Sequence, residues 1–202
     1  MRTLTIVITA LVLAVFASAA AVAAPAKTLD NLMAAYNGES NAHAKYLEFA
    51  KKADQEGYAG VASLFRAAAS AEQVHLTRHA EVIKKMGGTP KADIKLPEIK
   101  TTADNLKVAV AGETYERDKM YPEFIAQAKA EGNRDALRAF NFAVAAEAEH
   151  AKLYGEAAAN LQAWKQARTF FVCPVCGNTV TALTFEKCPV CFTPANKFMK
   201  IA

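Results

Sequence analysis

The chain has 202 residues, of which 52% are hydrophobic and 22% charged, and its formal net charge is +4. This length and apolar content fit one helical domain with a small appendage, and they exclude a largely disordered chain. Lysine and arginine alternate with acidic residues along helical stretches instead of forming a basic patch. We therefore predict that the protein has no nucleic-acid partner.

The N-terminal segment has the order of an export signal. Arg2 is the only charge before Lys27, residues 4–16 are mostly apolar, and small residues fill 17–24. The apolar run is shorter than the ~20 residues of a membrane span, which favours a cleaved signal peptide over an uncleaved membrane anchor. We expect a signal peptide over 1–23, cleaved near Ala23, and an exported, periplasmic protein.

Four amphipathic stretches follow, and each predicts a helix. The stretches are 28–55, 59–86, 102–131 and 133–167. The only long connection, 87–100, can span the length of a bundle and start the third helix parallel to the second. One long crossover between two hairpins predicts a ferritin-like, all-α four-helix bundle over 24–167.

The two predicted hairpins repeat each other at an offset near 75 residues. A duplicated hairpin builds a pocket with approximate twofold symmetry, which suits a site for two metal ions. The matched segments are Gly38-Glu39-Ser40 with Gly112-Glu113-Thr114, Tyr46-Leu47-Glu48-Phe49 with Tyr121-Pro122-Glu123-Phe124, Glu56-Gly57 with Glu131-Gly132, and Glu72 and His75 with Glu147 and His150.

Glutamates lie on the apolar faces of all four predicted helices. Small or apolar residues and histidine surround Glu72 three and four positions away, whereas basic residues and threonine surround Glu81 in the same helix. Burying unpaired carboxylates costs several kcal/mol each, so a counter-charge is needed. Two cations would supply it, and oxygen with imidazole ligands suits iron or manganese. A Glu-x-x-His pair on two helices, with glutamates from the other two, is the di-metal carboxylate pattern.

The segment 168–202 has no helical period and contains all four cysteines, which predicts a separate minidomain of short strands. Its two Cys-x-x-Cys pairs, Cys173/Cys176 and Cys188/Cys191, offer four thiolates for one tetrahedral iron or zinc ion. Gly177 permits a tight turn after the first pair, and Phe192 stands in the equivalent place after the second. Two disulfides are a further interpretation for an oxidising compartment.

Five runs resemble those of the rubrerythrin family, and the resemblance extends over 28–202. They are Gly-Glu-Ser, Glu-Gln-Val-His, Ala-Gly-Glu-Thr-Tyr-Glu, Met-Tyr-Pro-Glu-Phe and Glu-Ala-Glu-His. The resemblance implies two irons in the bundle and one iron in a rubredoxin-like domain over 168–202, with zinc as the alternative there. The implied di-iron ligands are Glu39, Glu72, His75, Glu113, Glu116, Glu147 and His150.

The resemblance also implies that one iron moves between His75 and Glu116 with redox state, and that Tyr46 and Tyr121 donate hydrogen bonds near the metals. His43 and His79 fall outside the pattern, and we interpret them as solvated or supporting histidines.

The leading hypothesis is a non-haem di-iron oxidoreductase that reduces hydrogen peroxide to water. Glu116, with Tyr46 or Tyr121, is the candidate for proton transfer. Electrons from an unidentified donor would pass through the four-cysteine iron, and the resemblance implies a head-to-tail homodimer in which they cross to the second subunit. The alternatives are a ferroxidase or iron-binding protein that uses oxygen, and a zinc-ribbon interaction module on a structural bundle.

Overall fold

The computed structural model describes residues 27–202, so the expected signal peptide lies outside the described residues. The helices in this range are α1 (Lys27–Gln55), α2 (Ala59–Lys85), α3 (Thr102–Tyr115), α4 (Tyr121–Ala130) and α5 (Arg134–Ala159). A π-helical segment, Glu116–Met120, joins α3 to α4, and together they form the third helix of the bundle. Among the helices of residues 27–202, none combines the length and the apolar composition that a membrane span requires.

The long connection from α2 to α3 runs along α1. The Asn41 side chain donates to the Asp93 carbonyl (2.9 Å) and accepts from the Lys95 amide (2.7 Å). At the end of the connection, the Thr102 amide donates to the carboxylate of Glu56, one residue beyond α1 (2.8 Å). α3 therefore begins beside the start of α2 and runs parallel to it. The predicted four-helix arrangement with one crossover is confirmed.

The duplicated sequence is visible in the way the two hairpins hold each other. Glu56 follows α1 and accepts a hydrogen bond from the amide of Thr102, at the start of α3. Its repeat mate Glu131 follows α4 and accepts from the amide of Thr28, in the first turn of α1 (3.2 Å). Each hairpin thus satisfies a free backbone donor at the first helix of the other, where a negative charge is also favoured by the helix dipole.

The third bundle helix is not one regular α-helix, which corrects the expectation for 102–131. Pro122 has no amide hydrogen, and in a regular helix its ring would crowd the carbonyl group of Asp118. The chain widens into the π segment Glu116–Met120 immediately before this proline, and α4 then starts with Pro122 in its first turn. A π turn changes the direction in which the following side chains point, and Tyr121 lies fully buried in the bundle.

The fourth bundle helix also departs from expectation, because α5 ends at Ala159 and not near residue 167. The chain turns back through the 3₁₀ segment Leu161–Trp164, which brings the Trp164 indole against Phe170 with ring centroids 6.4 Å apart. Gly60 on α2 permits this return, since a Cβ there would lie 2.5 Å from the Gln166 carbonyl oxygen. Burial of the indole favours the turn over a longer helix.

The C-terminal segment forms a small antiparallel sheet. Its strand order is β2–β1–β3, with β1 at Phe170–Val172, β2 at Thr179–Val180 and β3 at Met199–Ile201. β1 packs against α2, β2 packs against α5, and the side chains of β1 join the apolar core of the bundle. The segment therefore shares a core with the bundle, and the domain boundary near residue 167 stays a prediction.

Two apolar clusters fill the bundle and leave a polar layer between them. On α1, Glu39 lies between Leu32 of one cluster and Tyr46 of the other, and the acidic residues of the other helices lie at the same level. Water is excluded on both sides of this layer, so the charges in it must be neutralised from within. The large side chains that are almost fully buried include Tyr46, Phe49, Phe65, Tyr154 and Phe170 in the first cluster, and Leu32, Ile83, Tyr121 and Phe140 in the second.

Candidate metal centres

Six of the seven predicted di-iron ligands converge in the polar layer. They form two groups, and within each group the ligand atoms all lie within 4.8 Å of one another. Glu72 and Glu147 belong to both groups, so these two carboxylates can bridge two metal ions. The first group is Glu39, Glu72, His75 and Glu147, and the second is Glu72, Glu113, Glu147 and His150.

Four carboxylates of this layer each carry one oxygen atom that makes no hydrogen bond of good geometry. The atoms are Glu39 Oε2, Glu72 Oε1, Glu113 Oε2 and Glu147 Oε1, and all are buried. Leaving a buried acceptor unpaired costs about 1–3 kcal/mol, and more for a charged group. Two metal ions would use these lone pairs and neutralise the charges, so the residues fit a di-iron site.

In each Glu-x-x-His pair, the Nδ1 atom of the histidine lies near the carboxylates. His75 Nδ1 lies 2.9 Å from Glu72 Oε2 and 3.1 Å from Glu147 Oε1. His150 Nδ1 lies 2.9 Å from Glu147 Oε2 and 3.5 Å from Glu72 Oε1. Both histidines therefore present Nδ1 to the metal groups, and Nε2 points away from them.

Burial and mutual repulsion shift the protonation of this layer. Burial, with the charges of Glu147 and Glu72, raises the pKa of Glu113 to about 8. Burial disfavours the imidazolium form of His75, but the charges and hydrogen bonds of Glu147 and Glu72 outweigh it and raise the pKa of His75 to about 10. In the metal-free protein Glu113 and His75 therefore bind protons at neutral pH, and metal binding must release these protons.

Glu116 does not join either metal group. It is the first residue of the π segment, and the residue is partly exposed although its carboxyl group is buried. Burial of the carboxyl group and the negative charge of Glu113 raise the pKa of Glu116. Glu116 therefore interacts electrostatically with the metal groups although it belongs to neither. In this structure His75, not Glu116, faces the first metal group. The predicted exchange between the two residues would require a movement of Glu116 and stays a prediction.

Two buried tyrosines donate hydrogen bonds to the carboxylate layer, at the repeat-related positions that the resemblance implied. The Tyr46 hydroxyl donates to Glu113 Oε1 (2.5 Å), and the Tyr121 hydroxyl donates to Glu39 Oε1. Each bond occupies one oxygen of its carboxylate and leaves Oε2 unpartnered. The tyrosines therefore hold the carboxylates in place with one oxygen free for a metal ion.

The two remaining histidines differ from each other. His43 is partly exposed, with Nδ1 2.7 Å from the Ala69 carbonyl oxygen. His79 is fully buried, and its Nε2 lies 3.2 Å from the Tyr121 hydroxyl and 3.9 Å from Glu39 Oε1. Of the two interpretations given for these histidines, His79 therefore fits the supporting one and not the solvated one. Its position one helical turn after His75, on the same face of α2, was the sequence signal for a place near the site.

The four cysteines converge on one point. Cys173 Sγ lies 3.5 Å from Cys191 Sγ, and Cys176 Sγ lies 3.6 Å from Cys188 Sγ. These distances exceed the ~2.05 Å of a disulfide bond, and they suit four thiolates around one tetrahedral ion. All four are free cysteines, so the disulfide interpretation finds no support.

The second cysteine loop forms despite the phenylalanine in the place of glycine. Phe192 adopts φ 62°, close to the φ 75° of Gly177, and is the only residue other than glycine within 27–202 with a positive φ. Its amide donates to the Cys188 carbonyl (2.9 Å), as that of Gly177 donates to the Cys173 carbonyl (3.0 Å). The loop keeps its shape at the cost of a left-handed backbone at a bulky residue.

The first cysteine loop lies against the carboxylate layer of the same chain. His75 Nε2 lies 3.1 Å from the Cys176 carbonyl oxygen, and His150 Nε2 lies 3.0 Å from Thr179 Oγ1. Gly177 permits this approach, because a Cβ there would overlap His75 Nε2. Each histidine therefore contacts the carboxylate layer with Nδ1 and the C-terminal segment with Nε2.

A buried carboxylate and histidine layer inside a four-helix bundle with one crossover, next to a four-cysteine site, defines a ferritin-like di-metal carboxylate protein. The Rubrerythrin family model matches residues 30–158. Nigerythrin of Nitratidesulfovibrio vulgaris is 41% identical over 172 residues, which cover 85% of each chain.

Solved structures agree with this assignment. Fully reduced, all-ferrous nigerythrin superposes with a TM-score of 0.81 at 38% identity and covers 91% of both chains. A bacterioferritin of Desulfovibrio desulfuricans shares the fold, with a TM-score of 0.64 at 22% identity over 70% of this chain and 83% of that one. The chain belongs to the rubrerythrin family. It is an oxidoreductase with a di-iron site in the bundle and a four-cysteine site for iron or zinc.

Proposed function

We propose that the protein reduces hydrogen peroxide to water with electrons that enter through the four-cysteine site. The observation that carries this proposal is the 3.1 Å contact between His75 Nε2 and the Cys176 carbonyl oxygen. It joins the backbone of one metal centre to a candidate ligand of the other. Repeated peroxide reduction needs a source of electrons beside the di-iron site, whereas oxidation of stored iron does not.

The reaction consumes one peroxide molecule, two electrons and two protons and yields two water molecules. When bound, the di-iron pair supplies the electrons and the Lewis acidity for cleavage of the O–O bond. Glu72 and Glu147 would bridge the pair, and Cys173, Cys176, Cys188 and Cys191 would hold the ion that relays electrons.

The protons come from the chain's own groups. Glu116 is a partly exposed residue whose buried carboxyl group has a raised pKa, which suits a group that passes protons between the surface and the site. Tyr46 and Tyr121 already donate hydrogen bonds to candidate ligands, and they are placed to stabilise charge on those oxygens.

The proposed relay runs within one chain, because His75 and Cys176 belong to the same chain. The head-to-tail homodimer, with its transfer between subunits, is a separate proposal. Dilution distinguishes the two, since an intrachain rate constant is independent of protein concentration. Transfer between subunits slows once a dimer dissociates.

Export to the periplasm is also a proposal, since the expected signal peptide lies outside residues 27–202. It implies that the electron donor is an exported or membrane-associated redox protein and not a cytoplasmic nicotinamide enzyme. Fractionation of the native host, with N-terminal sequencing of the mature protein, tests both the location and cleavage near Ala23.

The test of function compares oxidants with the reduced, iron-loaded full chain. We expect hydrogen peroxide to reoxidise the di-iron site much faster than oxygen does in stopped-flow absorption measurements. A Cys188→Ser, Cys191→Ser variant should keep the first turnover and lose repeated turnover. Faster reaction with oxygen, and turnover that does not need the cysteines, would establish the ferroxidase alternative. Metal analysis that finds zinc alone in protein from the native host would favour the interaction module.

A further inference from the structure

The two halves of the bundle differ in the residue that packs beside each tyrosine of the carboxylate layer, Tyr121 and Tyr46. His79 on α2 packs beside Tyr121 with ring centroids 6.2 Å apart. At the repeat-related position on α5, Tyr154 packs beside Tyr46 with centroids 5.5 Å apart. All four rings are at most 1% exposed. An imidazole thus stands behind one tyrosine, and a phenol stands behind the other.

Of this pair, His79 alone makes a polar contact with its tyrosine. His79 Nε2 lies 3.2 Å from the Tyr121 hydroxyl, whereas the Tyr154 hydroxyl is buried without a hydrogen-bond partner. The other ring nitrogen, His79 Nδ1, is also buried and unpartnered.

These contacts select one tautomer of His79. A proton on Nδ1 would be a buried donor with no acceptor, whereas a proton on Nε2 can be donated to the Tyr121 oxygen. The ring is fully buried and makes no hydrogen bond to a carboxylate, which favours the neutral form with a single proton. The Nε2–H tautomer is therefore favoured.

With its oxygen accepting from His79, Tyr121 has its own proton free for Glu39. That bond occupies Glu39 Oε1, and Glu39 Oε2 stays buried and unpartnered. Tyr46 makes the corresponding bond to Glu113. However, Tyr154 donates no hydrogen bond to the Tyr46 hydroxyl, whereas His79 contacts the Tyr121 hydroxyl. The two halves of the carboxylate layer therefore differ in how firmly a terminal carboxylate is held.

We propose that His79 is a positioning residue that fixes the Tyr121 hydroxyl on Glu39 Oε1 and thereby presents Glu39 Oε2 to a metal ion. The metal position formed by Glu39, Glu72, His75 and Glu147 is then the better preorganised of the two, and it fills first. This role deepens the proposed function and rests on it for its importance in turnover.

The experiment uses the full chain and two readouts that need no peroxide. The first is NMR of tyrosine labelled with ¹³C at Cζ in the zinc-loaded protein, with the Tyr121 signal assigned from Tyr121→Phe. The second is stepwise Fe(II) binding to the metal-free protein without oxygen. The variants are His79→Leu, which removes the donor, and His79→Gln, which keeps an N–H group. Tyr154→Phe is the matched control in the other half.

We expect His79→Leu to shift the Tyr121 signal and to weaken the first Fe(II) step about tenfold, the effect of one lost hydrogen bond of ordinary strength. His79→Gln should restore both readouts, and Tyr154→Phe should change neither. An unchanged Tyr121 signal in folded His79→Leu protein would overturn the proposal.

A double-mutant cycle keeps the test decisive if His79→Leu does not fold. We compare His79→Asn with Tyr121→Phe and with the double variant, because a residue that acts through Tyr121 has no further effect once that hydroxyl is gone. Additive losses in Fe(II) affinity would refute the role. Slow reoxidation of the wild-type protein by peroxide, with the NMR shift present, would instead refute the proposed function and leave the role of His79 standing.

Discussion

His75 and Cys176 connect the two metal centres through a single polar contact. The His75 ring lies with Nε2 3.1 Å from the Cys176 carbonyl oxygen and with Nδ1 2.9 Å from Glu72 Oε2. One imidazole therefore extends from the carboxylate layer to the backbone of a cysteine that would bind the second metal. The contact joins residues far apart in the sequence, and it makes electron transfer within one chain testable by small changes.

Gly177→Ala is expected to slow electron transfer between the centres while the four-cysteine metal stays bound. A Cβ at this position would overlap His75 Nε2, so the first cysteine loop must move away from the ring. Gly57→Ala is the matched control, because Gly57 has a φ of 77° and no atom within 4 Å of its added Cβ.

Both alanine variants should lose about 1–2 kcal/mol of stability from the left-handed backbone. Only Gly177→Ala should delay re-reduction of the di-iron site. The transfer is monitored through the visible absorption of the four-cysteine iron. Equal transfer rates in the two variants would show that the contact is not the route.

Glu72→Gln is expected to abolish iron binding at both positions in the bundle, because Glu72 belongs to both metal groups. The amide has nearly the same shape as the carboxylate but lacks its charge, so it cannot bridge two cations. Glu81→Gln on the exposed face of α2 is the control and should bind iron as the wild type does. Iron is counted per chain, with the four-cysteine iron as an internal standard. Full occupancy in Glu72→Gln would contradict the bridging role.

The metal-free protein is expected to lose stability as the pH rises from about 6 to 10. The pKa of Glu113 is about 8 in the folded chain against a usual 4.5, and that of His75 is about 10 against 6.5. Between these values the folded chain binds more protons than the unfolded chain, so the free energy of unfolding falls with rising pH. The Glu113 contribution is lost as the pH passes 8, and the His75 contribution as it passes 10.

Thermal melts of the metal-free protein by circular dichroism measure this trend. Each unit of pKa shift corresponds to about 1.4 kcal/mol, so a fall of several degrees is expected. The iron-loaded protein should not follow it, since protons compete less with metal ions as the pH rises. A melting temperature of the metal-free protein that rises with pH over this range would refute the protonated layer.

Phe192→Gly is expected to stabilise the second cysteine loop by about 0.5–1 kcal/mol. Phe192 has a φ of 62° and is 74% exposed, so glycine removes backbone strain and loses little packing. Leu183→Gly is the control, because Leu183 is also partly exposed but has no left-handed backbone, and glycine there should destabilise. Retention of the four-cysteine metal during heating is the measurement. Equal losses in both variants would contradict the strain.

The sequence by itself determined that there are four bundle helices, though not their exact course and ends, and which acids line the buried layer. Glutamates spaced three and four residues from apolar neighbours mark a helix face, and this local pattern needs no knowledge of other helices. The repeat near 75 residues showed that Glu72 and Glu147 are equivalent. The spacing of the cysteine pairs likewise predicted the four-cysteine site, because each pair lies within one tight loop.

Local patterns could not give the position of Glu116 or the end of α5. The motif places Glu116 one turn after Glu113, but in the structure it is the first residue of the π segment and joins neither metal group. α5 ends at Ala159 because the Trp164 indole is buried on the core instead of continuing an exposed helix. Both results depend on which side chains meet across the bundle.

Only the tertiary structure decided which group contacts Nε2 of His75 and of His79. His75 meets the Cys176 carbonyl group, and His79 meets Tyr121, across 101 and 42 residues of sequence. Periodicity records which face of a helix is buried, and it contains no information on the partner that arrives from a distant segment. That partner is selected by tertiary packing, because a buried donor or acceptor without a partner costs about 1–3 kcal/mol.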